Sequence, residues 1–229
     1  MSDNSKYVTL ICALPYHGPL FGAVRPPLSR IRLNEYLEQL EPDDKADLDS
    51  VSLLLDWSSQ TRTRDDARIL SDARERVPDL QNALAREVVQ WRLELRSAVA
   101  ALRRRQRGES APPSGRDWGY GRWLSTIARH WNDSDLGLGR VYPWIDEARG
   151  LLAAGSSVEL ERLLLGVVWR DLERRSEGHE FDFEAVLLYC MRWEVVARWI
   201  RYQAAPAATR FEYLVREGLA DIDLDAIAA

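Results

Sequence analysis

Six apolar residues, Leu84, Val88, Trp91, Leu95, Ala98 and Leu102, follow one another at intervals of 4, 3, 4, 3 and 4. That alternation is the seam of an α-helix, because only positions three or four apart share a helical face. The spacing predicts a helix from about Asp79 to Arg107, roughly 40 Å long at 1.5 Å per residue. Such a seam needs a cover, which is either a second copy in a coiled coil or other helices of the same chain. Fewer than three full heptads are present, which favours an intramolecular helical hairpin.

Helical periodicity recurs elsewhere. Leu33, Tyr36, Leu37 and Leu40 keep it up to Pro42, and Leu48, Val51, Leu54 and Leu55 mark a second short helix ending near Trp57. The outer faces of this pair read as acidic: between Arg30 and Asp56, eight carboxylates (Glu35, Glu38, Glu41, Asp43, Asp44, Asp47, Asp49, Asp56) stand against Arg30, Arg32 and Lys45. After the polar stretch Ser58 to Thr63, a third helix is expected from about Arg64 to Arg76. Pro78 closes it, having no N–H to donate, and suits the first turn of the long helix that follows.

Gly108-Glu109-Ser110-Ala111-Pro112-Pro113-Ser114-Gly115 reads as a linker, since glycine and paired prolines break regular elements. It divides the chain into an N-terminal helical region, 1–107, and a C-terminal one, 118–229, with 108–117 between them. The second half opens on Trp118, Tyr120, Trp123, Ile127 and Trp131, interrupted by turns at Gly137 and Gly139. A helix is expected from Val141 to Ala154, and another from Val158 to about Arg175 with a Ser156–Glu159 capping box. Asp182 can cap a widely apolar, hence central, helix that Pro206 ends. A last short helix carries Phe211, Leu214 and Val215 before an acidic tail with Asp221, Asp223 and Asp225. Tyr7 to Leu14 is a buried strand or the start of a buried helix, and the glycines and prolines between His17 and Ser29 make a loop. The expected class is an all-α multi-helix bundle with at most one N-terminal strand.

Composition narrows the function. With 229 residues, 46% hydrophobic and 29% charged, the chain is not disordered, collagen-like or a disulfide scaffold. No run of about 18 apolar residues offers a membrane span. Cys12 and Cys190 lie far apart in apolar stretches, which suits two reduced thiols and a cytoplasmic location. There is no phosphate-cradling Gly-rich loop with Lys-Ser or Lys-Thr, and no Gly-x-Ser-x-Gly elbow. His17, His130 and His179 lie in separate segments without a second ligand at metal-site spacing. The carboxylates read as solvated, so none is expected to be a general acid. Hence no catalytic, cofactor-binding or metal-binding residue is assigned. Candidate interface residues remain: Arg103, Arg104, Arg105 and Arg107, with Trp118 and Trp123. Guanidinium forks can grip phosphate, but a net charge of -5 opposes nucleic-acid binding, and cations in a helix's last turn complement its dipole.

Four stretches carry a family resemblance. Tyr7-Val8-Thr9-Leu10-Ile11-Cys12-Ala13-Leu14-Pro15, its proline-rich loop, Leu33-Asn34-Glu35-Tyr36-Leu37 and Asp47 to Leu54 resemble a bacterial family of uncharacterised proteins encoded beside V/A-type rotary ATPase subunits. Phe183 to Val196 is similar in pattern to helices of the C/d-type subunit of V/A-type rotary ATPases. The resemblance implies a non-catalytic, all-helical piece between the soluble head's central stalk and the membrane rotor ring. It would then meet the inner membrane only through those partner proteins. The chain is shorter than the usual C/d-type protein, shows no threefold module repeat and lacks its Tyr-Leu-x-Ala-Arg start, so both a core subunit and an accessory or assembly factor fit. The alternative from another class is a free-standing helical adaptor acting through protein–protein contacts, dimerising by the Leu84 to Leu102 seam.

Overall fold

The predicted seam is the centre of the fold. In the computed structural model, which describes residues 6–55, 66–113 and 118–220 and their side chains up to 203 except for 66 and 67, Val88, Leu95, Ala98 and Leu102 are 3% exposed or less. The helix that carries them is the fifth of nine among the described residues. These are α1 (Val8–Ala13), α2 (Arg30–Leu37), α3 (Pro42–Leu55), α4 (Asp66–Arg76), α5 (Ala83–Gln106), α6 (Leu124–Arg129), α7 (Ile145–Ala153), α8 (Ser157–Arg175) and α9 (Phe183–Ala220). A 3₁₀ turn lies at Leu20–Gly22, and no strand occurs among the described residues. The class is therefore all-α, and Tyr7 to Leu14 resolves as helix α1 rather than a strand.

Helices α3, α6, α7 and α9 pack against α5. The seam is thus covered within the chain, by several helices rather than one long hairpin partner. The hairpin proper is α8–α9, the most extensive helix pair, whose two helices are joined by the turn 176–182. One continuous hydrophobic core takes Leu33, Leu48 and Leu95 from before the Gly108 segment, and Ile127, Leu172 and Leu187 from after it. Each large aliphatic side chain buried there contributes about 1.5–3 kcal/mol.

Several helix ends differ from the sequence expectation. The long helix starts at Ala83, not Asp79: Pro78 sits in a turn, and Asn82 is the cap, its side chain accepting from Ala85 N at 2.9 Å. An asparagine oxygen satisfies a free first-turn donor, which Pro78 cannot do. The helix expected from Val141 begins at Ile145, because turns occupy 139–141 and 143–144. Ser156 stands at the start of α8 but makes no capping bond, so the capping box does not form. Asp182 does cap α9, accepting from Ala185 N at 2.9 Å. Helix α9 continues through Pro206 to Ala220, so the short terminal helix is its last part; a single proline removes one ladder bond, which a long helix can absorb. The acidic tail, the polar stretch Ser58 to Thr63 and the start of the third helix at Arg64 lie outside the described residues.

Residues 7–28 wrap over α9. Tyr7 N donates to Phe181 O at 2.7 Å, Tyr189 Oη to Pro15 O at 2.9 Å, and Trp193 Nε1 to Leu28 O at 2.9 Å. Asp47 is not on a solvated face as expected but 6% exposed. Its two carboxylate oxygens accept from Gln81 N at 3.0 Å and Asn82 N at 2.6 Å, tying α3 to the start of α5. Asp47→Ala strips both amides of their acceptor and should lower unfolding free energy by about 1–3 kcal/mol. Urea titration checks this: the midpoint should fall with an unchanged slope, and an unaltered midpoint refutes the clamp.

Candidate functional site

Arg92, Arg96 and Arg103 of α5 and Arg107, its C-cap, follow at intervals of four, seven and four, so they form a stripe beside the apolar seam. With Arg104, Trp118, Arg198 and Glu161 they line a cleft of about 340 Å³ between α5, α8 and α9, floored by Leu95, Val99, Leu164 and Val168. Four of the six residues singled out in the sequence, Arg103, Arg104, Arg107 and Trp118, meet there. Arg105 does not: its guanidinium donates to the carbonyls of Asn132, at 3.3 Å, and Asp133. Trp123 does not either; it lies half-buried under the Arg122 guanidinium, 5.1 Å from the ring centroid.

A second cavity, about 490 Å³, lies on the other side of a wall formed by Arg92, Leu165, Val168 and Arg198. Leu33, Leu48, Leu172, Cys190 and Met191 line it with Arg30, Asp49, Glu194 and Arg201. The wall is where burial and charge meet. Arg92 is 7% exposed, and desolvation, reinforced by Arg198, brings its pKa down to about 10 against the opposing pull of Asp171 and Glu161. It stays cationic at neutral pH. Arg198 grips Glu161 with two nitrogens, Nη2 at 3.2 Å and Nε closer. At the far end Arg104 and Arg107 share the Glu109 carboxylate, each at 3.0 Å, which holds that carboxyl below its usual pKa.

The expectation that the carboxylates are solvated fails at four places: Asp47, Glu94, Glu161 and Asp171 are all buried. Each is bonded to cations or backbone amides. Glu94 accepts from Arg122 N at 3.1 Å, and Ser97 Oγ from Tyr120 N at 2.7 Å, so the aromatic segment after the linker is clipped to α5. The close approach needs Gly121: its φ is +101°, and a Cβ there would lie 2.2 Å from Glu94 Cγ. Trp118 turns inward, T-shaped to Trp131 at 6.3 Å. In the sequence, the Gly119–Gly121 pair is the signal for this clip, and it reads there only as a turn.

Neither cavity contains an activated nucleophile. Burial pushes the Cys190 thiol up to about 12, so it stays protonated, while Cys12 is exposed on α1. His179, Asp182 and Glu184 do cluster, with ligand atoms within 4.8 Å, which the histidine spacing does not reveal. Their polar atoms are engaged in starting α9: Asp182 Oδ2 meets His179 Nδ1 at 2.7 Å, Asp182 Oδ1 caps Ala185, and Glu184 accepts from Asn82 Nδ2 at 2.9 Å. Among the described residues no helix is long and apolar enough to cross a membrane. Comparison with protein-family models, curated proteins and solved structures finds no match.

His17, 9% exposed, packs against Tyr189 at 4.1 Å and edge-on to Trp169 at 6.0 Å. Burial, helped by Arg192, lowers its pKa to about 4. The unfolded chain takes up this proton near pH 6.5 while the folded chain resists until about pH 4. Stability is therefore complete above pH 6.5 and falls as pH drops toward 4, by up to about 3 kcal/mol. His17→Phe should remove that part of the slope in urea midpoints measured across the window. An identical slope in the variant assigns it to other groups.

Proposed function

We propose that this chain is a non-catalytic helical subunit or accessory factor of a V/A-type rotary ATPase, acting at the central stalk and the rotor ring. What supports the reading is a single juxtaposition. Tyr7 to Pro15 and Phe183 to Val196, two of the stretches that carry the resemblance, are far apart in sequence but adjoin through the bond that Tyr189 Oη donates to Pro15 O. The resemblance therefore falls on one packed unit, where family-specific positions of a structural protein belong. A coupling piece requires stiff helices and surfaces for its neighbours, not converging acids and bases. The N-terminal segment and α2 offer such a surface, with Tyr16, Val24 and Ile31 all more than 70% exposed. Its place is then cytoplasmic, held at the membrane through its partners. A free-standing adaptor dimerising by the α5 seam is not proposed, because the chain's own helices cover that seam.

Affinity capture of the tagged chain from native membranes should recover ATPase head and rotor subunits in stoichiometric amount. Replacing Tyr16, Val24 and Ile31 together with Ser should reduce that recovery at least about tenfold with no change in melting temperature. An intact, active ATPase that contains none of this chain overturns the reading.

A further inference from the structure

No aspartate or glutamate occurs from Asn4 to Asn34, in a chain that holds 36 of them, while Lys6, Arg25, Arg30 and Arg32 fall inside that stretch. Tyr16, Val24 and Ile31 lie in the same stretch, and among the described residues no other large hydrophobic is more than half exposed. Its middle packs on α8. Tyr16, Phe21, Trp169 and Arg170 line one surface depression with Glu173, and the Arg162 guanidinium lies 4.8 Å from the Phe21 ring centroid. Val24 and Arg25, both exposed, follow directly after this turn. Lys6, Arg30 and Arg32 are answered by carboxylates, but Arg25, Arg162 and Arg170 form no ion pair among the described residues. Glu173 is engaged by Trp169 Nε1, which donates to it at 2.7 Å. The face is therefore apolar and cationic, on a chain of net charge -5.

We infer that this face lies on an anionic lipid surface, with Tyr16 and Val24 entering the headgroup boundary and Arg25, Arg162 and Arg170 meeting lipid phosphates. Guanidinium groups bind phosphate through paired N–H donors, and a tyrosine ring suits the boundary, its body in apolar surroundings and its hydroxyl in water. Arg162 and Arg170 stand two turns apart on one helix, about 12 Å at 1.5 Å per residue. One phosphate cannot span that distance, so the pair fits an array of headgroups rather than a free anion. Tyr16 and Val24 project singly from a glycine- and proline-rich loop. A deformable lipid surface covers such side chains, where a protein would need a matching pocket for each. Nucleic acid supplies phosphates as well, but it gains nothing from an aliphatic Val24. Contact is peripheral: among the described residues no helix is long and apolar enough to cross a membrane, and the loop's backbone groups stay in the wet boundary. The rotary ATPase reading asks for protein neighbours, so direct lipid contact goes beyond it and does not rest on it.

The test is flotation of the purified full chain with protein-free vesicles, made of phosphatidylcholine alone or of phosphatidylcholine with phosphatidylglycerol. Binding to the mixed vesicles should be at least about tenfold tighter and should weaken as salt rises. Tyr16→Ser with Val24→Ser should reduce it at least about fivefold. Arg162→Glu with Arg170→Glu should reduce it at least about tenfold, Arg162→Gln with Arg170→Gln by a smaller factor, and Arg129→Glu, on α6, not at all. Melting temperature monitors folding, and if the glutamate pair lowers it the glutamine pair decides. Equal binding to both vesicle types, no binding, no response to the serine pair or to either arginine pair, or tighter binding of a labelled oligothymidylate overturns the inference. No ATPase subunit is present in this test, so its failure is distinct from a failure to capture those subunits from native membranes.

Discussion

A helix that is apolar around most of its circumference has to lie in the middle of its protein, and α5 imposes that condition on everything else. Besides the seam residues, Val89, Leu93, Val99 and Ala101 are buried, so one partner helix cannot cover it and coiled-coil pairing would leave a second apolar face in water. The chain answers by bringing α3, α6, α7 and α9 around it. The helices that follow the glycine- and proline-rich segment contribute to the same core.

Helices arranged about one central rod still need their register fixed, and apolar contact is poor at that because it is not directional. The buried carboxylates supply direction. Asp47 holds the two amides before α5, Glu94 holds the backbone of Arg122, and Asp171 positions Arg175 of its own helix, which reaches Glu87 on α5 at 3.2 Å. Glu161 ties α8 to α9 through Arg198. A buried ion pair adds little net stability over an apolar pair of the same volume, yet breaking one leaves a charge stranded. In this fold such pairs choose between packings of similar apolar content.

These effects divide what the sequence makes legible from what it does not. Period-3.6 spacing locates every long helix, because the apolar residues of α5, α8 and α9 must face a core whatever that core is. Helix ends depend on a few polar atoms, and there the reading slips. Pro78 looks like a first-turn residue, yet Asn82 is the one whose oxygen reaches a free amide. Ser156 has the right neighbours for a capping box, but its side chain is not used. The cleft is half legible: Arg103, Arg104, Arg107 and Trp118 stand out as a run of charge and a bulky ring. Arg92, Arg96 and Arg198 do not, since an isolated arginine in a helix reads as solvated until the opposing helix is known. Asp47 and Glu161 escape notice for the same reason.

The end of α5 illustrates how one set of side chains can satisfy two demands. Cations at Arg103, Arg104 and Arg105 complement the negative end of the helix dipole, an effect confined to the last turn. That accounts for three arginines and stops there. Arg92 and Arg96 lie mid-helix, where the dipole offers nothing, and burying Arg92 carries a desolvation cost that lowers its pKa. A chain that needed only a capped helix could place leucine at position 92 and keep a drier core. The cost is answered within the fold: Asp171 and Glu161, both buried on α8, favour the charged form of Arg92, so the cationic row runs inward where the chain's own carboxylates meet it.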